Sequence, residues 1–549
     1  MTMQSAVQHP AGGVAPSTTR VMNLSHFLTQ AARRNPDHIG FVWGEKTWSW
    51  AQMEARVDAM AHALESEFGV RKGDRILVQS SNNNQMFESM FACFRVGAVW
   101  VPTNYRQSPD EVAYLAKASG ARGMICASAF PEHARASHEA GTIDFSIAIG
   151  TAEFGEDYDA IVARHMGHKV KSQAVDRDDP CWFFFTSGTT GRPKAAVLTH
   201  GQMAFVITNH LCDLMPGTGP DDASIVVAPL SHGAGIHQLV QVAHGAKTVL
   251  PAAEKLDVPA VWALIEKWRI TNAFTVPTIL KMLVEDLSVD RFDHSSLRYV
   301  IYAGAPMYRA DQKRALAKLG PVLVQYFGLG EVTGNITVLP PSFHNAEDGP
   351  ETRIGTCGFD RTGMEVQIQN DAGEEVGAGE TGEICVIGPA VFAGYYDNPE
   401  ANAKAFRNGW FRTGDLGHRD ENGFLYITGR ASDMYISGGS NIYPREIEEK
   451  ILMHPDISET AVLGVPDAVW GEVGVAVCVA REGADIAAID LKAYLEGKMA
   501  RYKLPKSVVF WDAMPKSAYG KITKKMIREE LEKRGQMPAF EEKRTGSQA

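Results

Sequence analysis

The chain has 549 residues and a mass of 59.9 kDa, enough for two to four domains around a large core. An apolar fraction of 45% and a charged fraction of 22% are those of a folded globular protein and exclude disorder throughout. The net charge of −11 comes with no basic stripe, which argues against a nucleic-acid partner, and no run approaches the ~18 apolar residues of a membrane span.

Residues 1–22 carry no apolar run of the secretory kind and read as a loose tail. Ser49-Trp50-Ala51-Gln52 has the pattern of a capping box and predicts a helix through about Glu65. Arg75–Val78 reads as a buried strand, Gln85–Arg95 as a helix, and Val99–Pro102 as the next strand. This alternation predicts βαβ units and parallel sheet. Residues 131–179 show no recognisable chemistry. Cys181–Phe185, Ile225–Ala228, Thr248–Leu250, Thr271–Val276 and Tyr299–Tyr302 continue as strands. After about Glu365 the pattern changes to short strands with glycine turns: Glu365–Gln369, Gly382–Ile387 and Gly423–Ile427. That predicts a small β-rich subdomain, with a domain boundary near Ser432 and a compact α/β tail after it. The cysteines (Cys93, Cys126, Cys181, Cys212, Cys357, Cys385 and Cys478) are scattered and never in CxxC spacing. They argue against a zinc site or a disulfide framework, fit a reducing cytoplasm, and read mostly as small core residues.

The sharpest motif is the run Thr186, Ser187, Gly188, Thr189, Thr190, Gly191, Arg192, Pro193, Lys194 behind the strand at Cys181–Phe185. Small and hydroxyl residues free backbone amides and hydroxyls to surround an anion, and Lys194 adds a mobile positive charge. It is not a Walker A loop. A bare surface loop is the bland alternative, and the position after a buried strand weighs against it.

This loop resembles the phosphate-binding signature of the adenylate-forming superfamily, which includes acyl-CoA synthetases, peptide-synthetase adenylation domains and luciferases. Further signatures follow in order over about Met22–Glu532. Tyr302–Met307 resembles the segment lining the adenine pocket, which assigns Gly304, Ala305 and Pro306 to it. Tyr326–Glu331 resembles Tyr-Gly-x-Thr-Glu. Phe327 would stack on adenine next to Gly328, and Glu331 would hold Mg2+, a hard cation that takes carboxylate and phosphate oxygens. Two departures stand here: Phe327 replaces a tyrosine, and Gly330 replaces a threonine and removes a hydroxyl, for which Thr333 is a candidate substitute. Phe411–Asp415 resembles the ribose motif, with Asp415 clamping the hydroxyls and Arg430 reaching ribose or phosphate. Ser432 or Asp433 takes the hinge position. Ser437, Gly438 and Gly439 resemble the loop that meets the pantetheine arm of CoA, and Pro444 opens the following helix. Pro515–Lys521 resembles the catalytic-lysine motif, with Lys521 bridging carboxylate and α-phosphate. Lys524 stands where an arginine is usual.

Pro229–Gly235 resembles the segment that gates the carboxylate site, and His232 fits the gate. No aspartate lies between Pro229 and Gly235, which argues against an amino-acid substrate, whose ammonium would need a paired carboxylate. Val276, Pro277, Ala303, Gly304 and Leu329 are expected to line a pocket suited to an aliphatic or an aryl acid.

The resemblance implies an α/β fold. A large N-terminal domain of doubly wound α/β subdomains with a small β-rich subdomain spans residues 23–431. A small mobile α+β C-terminal domain with the lysine spans 432–549. It also implies an ATP-dependent acid–thiol ligase: a fatty or aryl acid becomes acyl-AMP and is passed to CoA, with Glu331, His232 and Lys521 in the chemistry. ATP, CoA, Mg2+ and a small carboxylic acid are the expected ligands, in the cytoplasm, and a homo-oligomer is compatible with this. The alternatives are a luciferase-like oxygenase, a free-standing enzyme loading a carrier protein, and a non-catalytic nucleotide sensor. Only 28 residues follow Lys521, too few for an attached carrier domain. The intact lysine motif speaks against a sensor.

Overall fold

Strand Arg75–Gln79 shows how the first sheet is built. Leu77 packs with Val99, Val101, Phe183 and Phe185 in a cluster on one face. Ile76 and Val78 pack with Trp100 and Trp182 on the other. A strand whose alternate residues are all apolar must be covered on both sides, the condition that favours parallel βαβ topology. The computed structural model describes residues 18–537, apart from residues 187–191, 254, 306, 350–351, 438–439, 468 and 517–521.

The seven strands of this sheet run in the order Lys194–Thr199, Pro180–Thr186, Val99–Pro102, Arg75–Gln79, Gly123–Ala127, Phe145–Ile149 and Glu156–Asp157. The expected capping box at Ser49 forms, with both reciprocal hydrogen bonds, and starts helix Trp50–Ser66. Helix Asn84–Val96 is buried along its whole length, because it lies in the core between this sheet and the next.

The second sheet places Ile39–Trp43, Lys247–Leu250, Ala223–Val226, Asn272–Thr275, Tyr299–Tyr302 and Leu323–Phe327 side by side, all parallel. Val226, Leu250, Phe274, Ile301 and Val324 face the core shared with the first sheet. Ile225, Val249, Ala273, Val300 and Leu323 face an outer helical layer. The doubly wound α/β expectation matches this arrangement.

The β-rich part differs from the expectation in one respect. It begins at Thr356–Asp360 rather than near Glu365. Thr337–Leu339 turns back antiparallel to Leu323–Phe327 and pairs with Thr356–Asp360, so the hydrogen-bond ladder continues into Leu425–Arg430, Trp410–Arg419, Gly382–Ile387 and Glu365–Gln369. Arg20–Val21 pairs with Val175–Asp176, so the loose reading of residues 1–22 does not extend to these two; residues 1–17 lie outside the described residues.

A last five-stranded sheet starts at Tyr435–Ser437 and has its own two cores. Helix Pro444–Ile451, opened by proline as expected, covers one face through Ile447 and Ile451. Helix Lys524–Lys533 covers the other through Ile527 and Leu531. Six of the seven cysteines are buried, and Cys212 is exposed. Among the described residues, no helix is long and apolar enough to cross a membrane.

Candidate active site

Strands Asn272–Thr275, Tyr299–Tyr302 and Leu323–Phe327 end at one edge, with Thr275 level with Tyr302. Ligands of open parallel sheets bind beyond such carboxyl ends. Val276, Ala303, Gly304, Ala305 and the segment Phe327–Glu331 leave the sheet here. Gly304 has φ +82°, and a Cβ there would meet nothing nearer than Val276 Cγ1 at 3.9 Å. The left-handed conformation and the exposed Ala305 make a shelf of backbone rather than of side chains. Phe327 is half-buried at the end of its strand. Gly328 passes Gly334 so closely that a Cβ would stand 2.4 Å from the Gly334 Cα. Pro306 lies outside the described residues.

The segment expected to bind phosphate follows one strand of an antiparallel pair. Thr186 closes strand Pro180–Thr186 directly opposite Lys194, which opens strand Lys194–Thr199. Ser187, Gly188, Thr189, Thr190 and Gly191 span the gap and lie outside the described residues. The Thr186 hydroxyl donates to Glu331 Oε1 at 2.9 Å. Glu331 is 5% exposed, on the 3-10 turn Gly330–Val332, and the Tyr395 phenol donates to the same oxygen at 2.9 Å. Burial, reinforced by the Glu331 carboxylate, pushes the Tyr395 phenol well above its usual range, so it stays a donor. The Lys194 ammonium sits 4.6 Å from the Tyr395 ring centroid. Thr186, Lys194, Glu331 and Tyr395 thus form one contact network.

Gly330 stands beside this network. A Cβ on it would lie 2.6 Å from Phe184 Cδ1 and 2.9 Å from Thr186 Cγ2. The Phe184 ring occupies the room that a threonine at position 330 would need. Thr333 does not replace the missing hydroxyl: it is 3% exposed, and its Oγ1 donates to the Val332 carbonyl at 2.6 Å. His232, the residue before helix Gly233–His244, meets the other side of Phe184 edge-on, with centroids 5.3 Å apart. Its Nδ1 lies 2.9 Å from the Ser231 hydroxyl. Beneath, Phe274 stacks on Tyr326 at 5.9 Å. The expected pocket residues Ala303 and Leu329 pack in or against this core.

Asp415 and Arg430 face each other across strands Trp410–Arg419 and Leu425–Arg430, with Arg430 Nε 3.0 Å from Asp415 Oδ1. The carboxylate is buried and the guanidinium half-exposed, so the pair presents a charged edge to solvent. Ser437 stands on the separate five-stranded sheet, opposite Ser440 and Gly471. Gly438, Gly439 and Lys521 lie outside the described residues.

Residues 28–396 match the family model described as AMP-binding enzyme, and residues 446–521 match the one described as AMP-binding enzyme C-terminal domain. The chain belongs to the adenylate-forming superfamily of AMP-binding enzymes. It is 36% identical over 513 residues to a feruloyl-CoA synthase of Amycolatopsis sp, covering 93% of this chain and 99% of that one. It is 34% identical over 509 residues to an indoleacetate–CoA ligase of Aromatoleum aromaticum, covering 92% and 98%. Among solved structures, the amide bond synthetase McbA from Marinactinospora thermotolerans matches with a TM-score of 0.84 and 26% identity, over 92% of this chain and 100% of that one.

Two residues of this AMP-binding enzyme's site carry no motif signal that sequence reasoning used. Tyr395 holds Glu331 from 64 residues away, and only the run Gly394-Tyr395-Tyr396 before a proline-opened helix marks its place. Phe184 is one ring in an aromatic run whose strand identity alone was legible. The carboxylate chemistry at Glu331 suits Mg2+. A carboxylate is a hard oxygen ligand, and Mg2+ takes one or two of these with phosphate and water completing its shell.

Proposed function

We propose that this AMP-forming acid–CoA ligase acts on an aryl carboxylic acid. The reading is supported by the Phe184 ring, which stands against Gly330 and meets His232 edge-on. Edge-to-face contacts of this kind favour a flat aromatic guest by about 0.5–1.5 kcal/mol per pair. The names of the two relatives above point the same way.

The chemistry has two halves. A carboxylate oxygen attacks the α-phosphorus of ATP, pyrophosphate leaves, and acyl-AMP remains. The CoA thiolate then attacks the acyl carbon and AMP leaves. In the first half, the amides of the hairpin at 187–191 and Lys194 hold the phosphates, and Lys521 bridges the carboxylate and the α-phosphate. Glu331, oriented by Thr186 and Tyr395, holds Mg2+, which supplies charge neutralisation when bound. Asp415 accepts from the ribose hydroxyls, with Arg430 fixing its orientation. In the second half, the C-terminal domain turns about Ser432 and Asp433. Lys521 withdraws and the loop at Ser437, Gly438 and Gly439 meets the pantetheine arm. Two conformations let one acyl carbon meet two sets of groups while water stays excluded.

A panel of aliphatic, benzoate-type, cinnamate-type and arylacetate acids, assayed for pyrophosphate and acyl-CoA, tests the substrate class. The expected result is a kcat/KM for one aryl class at least tenfold above that for any aliphatic acid. Equal or better turnover of a medium or long aliphatic acid overturns it. Asp415→Asn is expected to raise the KM for ATP by roughly 10–100-fold, the loss of a charge-assisted hydrogen bond worth about 1.5–3 kcal/mol. An unchanged KM would place the ribose elsewhere.

A further inference from the structure

Helix Trp50–Ser66 and helix Tyr158–His165 pack against each other on the N-terminal domain, away from every element that carries a candidate ATP residue. Three imidazoles meet at their junction. His62 comes from the first helix, and His165 is the last residue of the second. His168 is brought back by the turn at Met166-Gly167, in which Gly167 takes φ +93° and the His168 amide donates to the His165 carbonyl at 3.2 Å. One ring nitrogen from each of the three lies within 4.8 Å of the other two. The residues sit in a stretch, and on a helix, to which the sequence lent no chemistry.

The tautomers follow from the surroundings. His165 Nε2 lies 2.7 Å from Glu67 Oε1. Arg164 grips both Glu67 oxygens, at 3.0 and 2.8 Å, which keeps that group a carboxylate and therefore an acceptor. His165 donates from Nε2, and in the neutral ring that leaves the lone pair on Nδ1. That lone pair points at His62 Nδ1, 2.8 Å away. The His168 ring lies parallel to His62, with centroids 4.0 Å apart, and is exposed. A carboxylate behind an imidazole whose other nitrogen faces a further imidazole is how histidine metal centres orient their ligands.

We propose that His62, His165 and His168 bind one divalent transition-metal ion of the zinc class. Imidazole nitrogens select zinc, cobalt, nickel or copper over magnesium and calcium, so the ion is distinct from the one Glu331 serves. At Zn–N distances of about 2.0–2.1 Å, tetrahedral ligand nitrogens stand about 3.4 Å apart. His62 and His165 are already near that spacing, and the exposed His168 ring closes the remainder by rotating. The ion displaces the proton shared between His62 and His165, and water completes the shell on the open side. Bound there, it would fasten the 165–168 turn to helix Trp50–Ser66.

The test uses the untagged full-length protein, stripped with a chelator and without nucleotide, titrated with Co2+ and Zn2+. The expected result is one equivalent of Co2+ with the visible absorption of a tetrahedral site, displaced by Zn2+. His168→Ala, at an exposed position, is expected to keep the metal-free melting temperature and to weaken Zn2+ binding at least tenfold. His62→Ala should do the same. Glu67→Gln should weaken binding by roughly 10–100-fold without removing a ligand. The chain has 17 histidines, so adventitious uptake is the alternative. Binding by His62→Ala and His168→Ala equal to wild type, or no tetrahedral cobalt spectrum, overturns the proposal.

Discussion

Lys521→Ala is expected to slow acyl-adenylate formation by on the order of 10²–10³-fold, the usual cost of removing one preorganised group that neutralises transition-state charge. Transfer to CoA from acyl-AMP supplied directly should fall far less if, as proposed above, the lysine withdraws in that half-reaction. The contrast separates a lysine that acts on the phosphoryl transfer from one that holds the fold. Helix Lys524–Lys533 is capped by Thr523 and anchored to the C-terminal sheet through Ile527 and Leu531. Lys524 is already spent in an ion pair with Glu448, which leaves it poorly placed to take over. Pyrophosphate release and acyl-AMP-dependent thioester formation, measured separately, check this. Equal loss in both halves would sink the two-conformation reading.

Local chemistry was readable along the chain and assembled contacts were not. The capping box at Ser49–Gln52 was legible because both partners lie within one turn. Strand Pro180–Thr186 was legible because an aromatic run that must be buried has few other options. The family was legible because its signature segments keep particular residue types at consecutive positions. The β-rich region starts at Thr356, before the point its residues suggest, since a strand's partner across a sheet has no signature in its own residues. Tyr395 and Phe184 escaped for the same reason: what each does is set by Glu331 and Gly330, which lie far along the chain. His62 and His165, 103 residues apart, are another case. The choice between aryl and aliphatic acids has no signature in the residues of any one segment.

Gly330→Thr, which restores the residue usual in the family, is expected to damage this enzyme rather than improve it. The glycine removes a hydroxyl from the phosphate site, and taken alone that reads as a defect. The structure supplies the reason for it: a Cβ at position 330 would stand 2.6 Å from the Phe184 ring and 2.9 Å from the Thr186 methyl. Both contacts are closer than real side chains tolerate, and Phe184 is wedged between His232 and Trp182, whose rings lie 5.3 and 6.2 Å away. The threonine must therefore push Phe184 or Thr186. Overpacking of this kind costs about 1–3 kcal/mol in stability. Moving Thr186 also breaks its hydrogen bond to Glu331, so ATP–pyrophosphate exchange should fall at least tenfold. A smaller side chain at position 184 removes the conflict. Phe184→Leu alone is expected to destabilise by leaving space, yet Phe184→Leu with Gly330→Thr should be more stable and more active than Gly330→Thr alone. A double-mutant cycle in urea midpoint and in exchange rate measures the coupling, expected at about 0.5–3 kcal/mol for residues in direct contact. Additive effects, or a Gly330→Thr single variant as active as wild type, would mean that Phe184 yields freely and that the glycine has some other cause. A coupled pair would mean that this enzyme traded a phosphate-site hydroxyl for an aromatic wall beside His232. That wall is the same feature on which the aryl-acid assignment rests, so the cycle, run with an aryl and an aliphatic acid, also reports whether position 184 sets the choice between them.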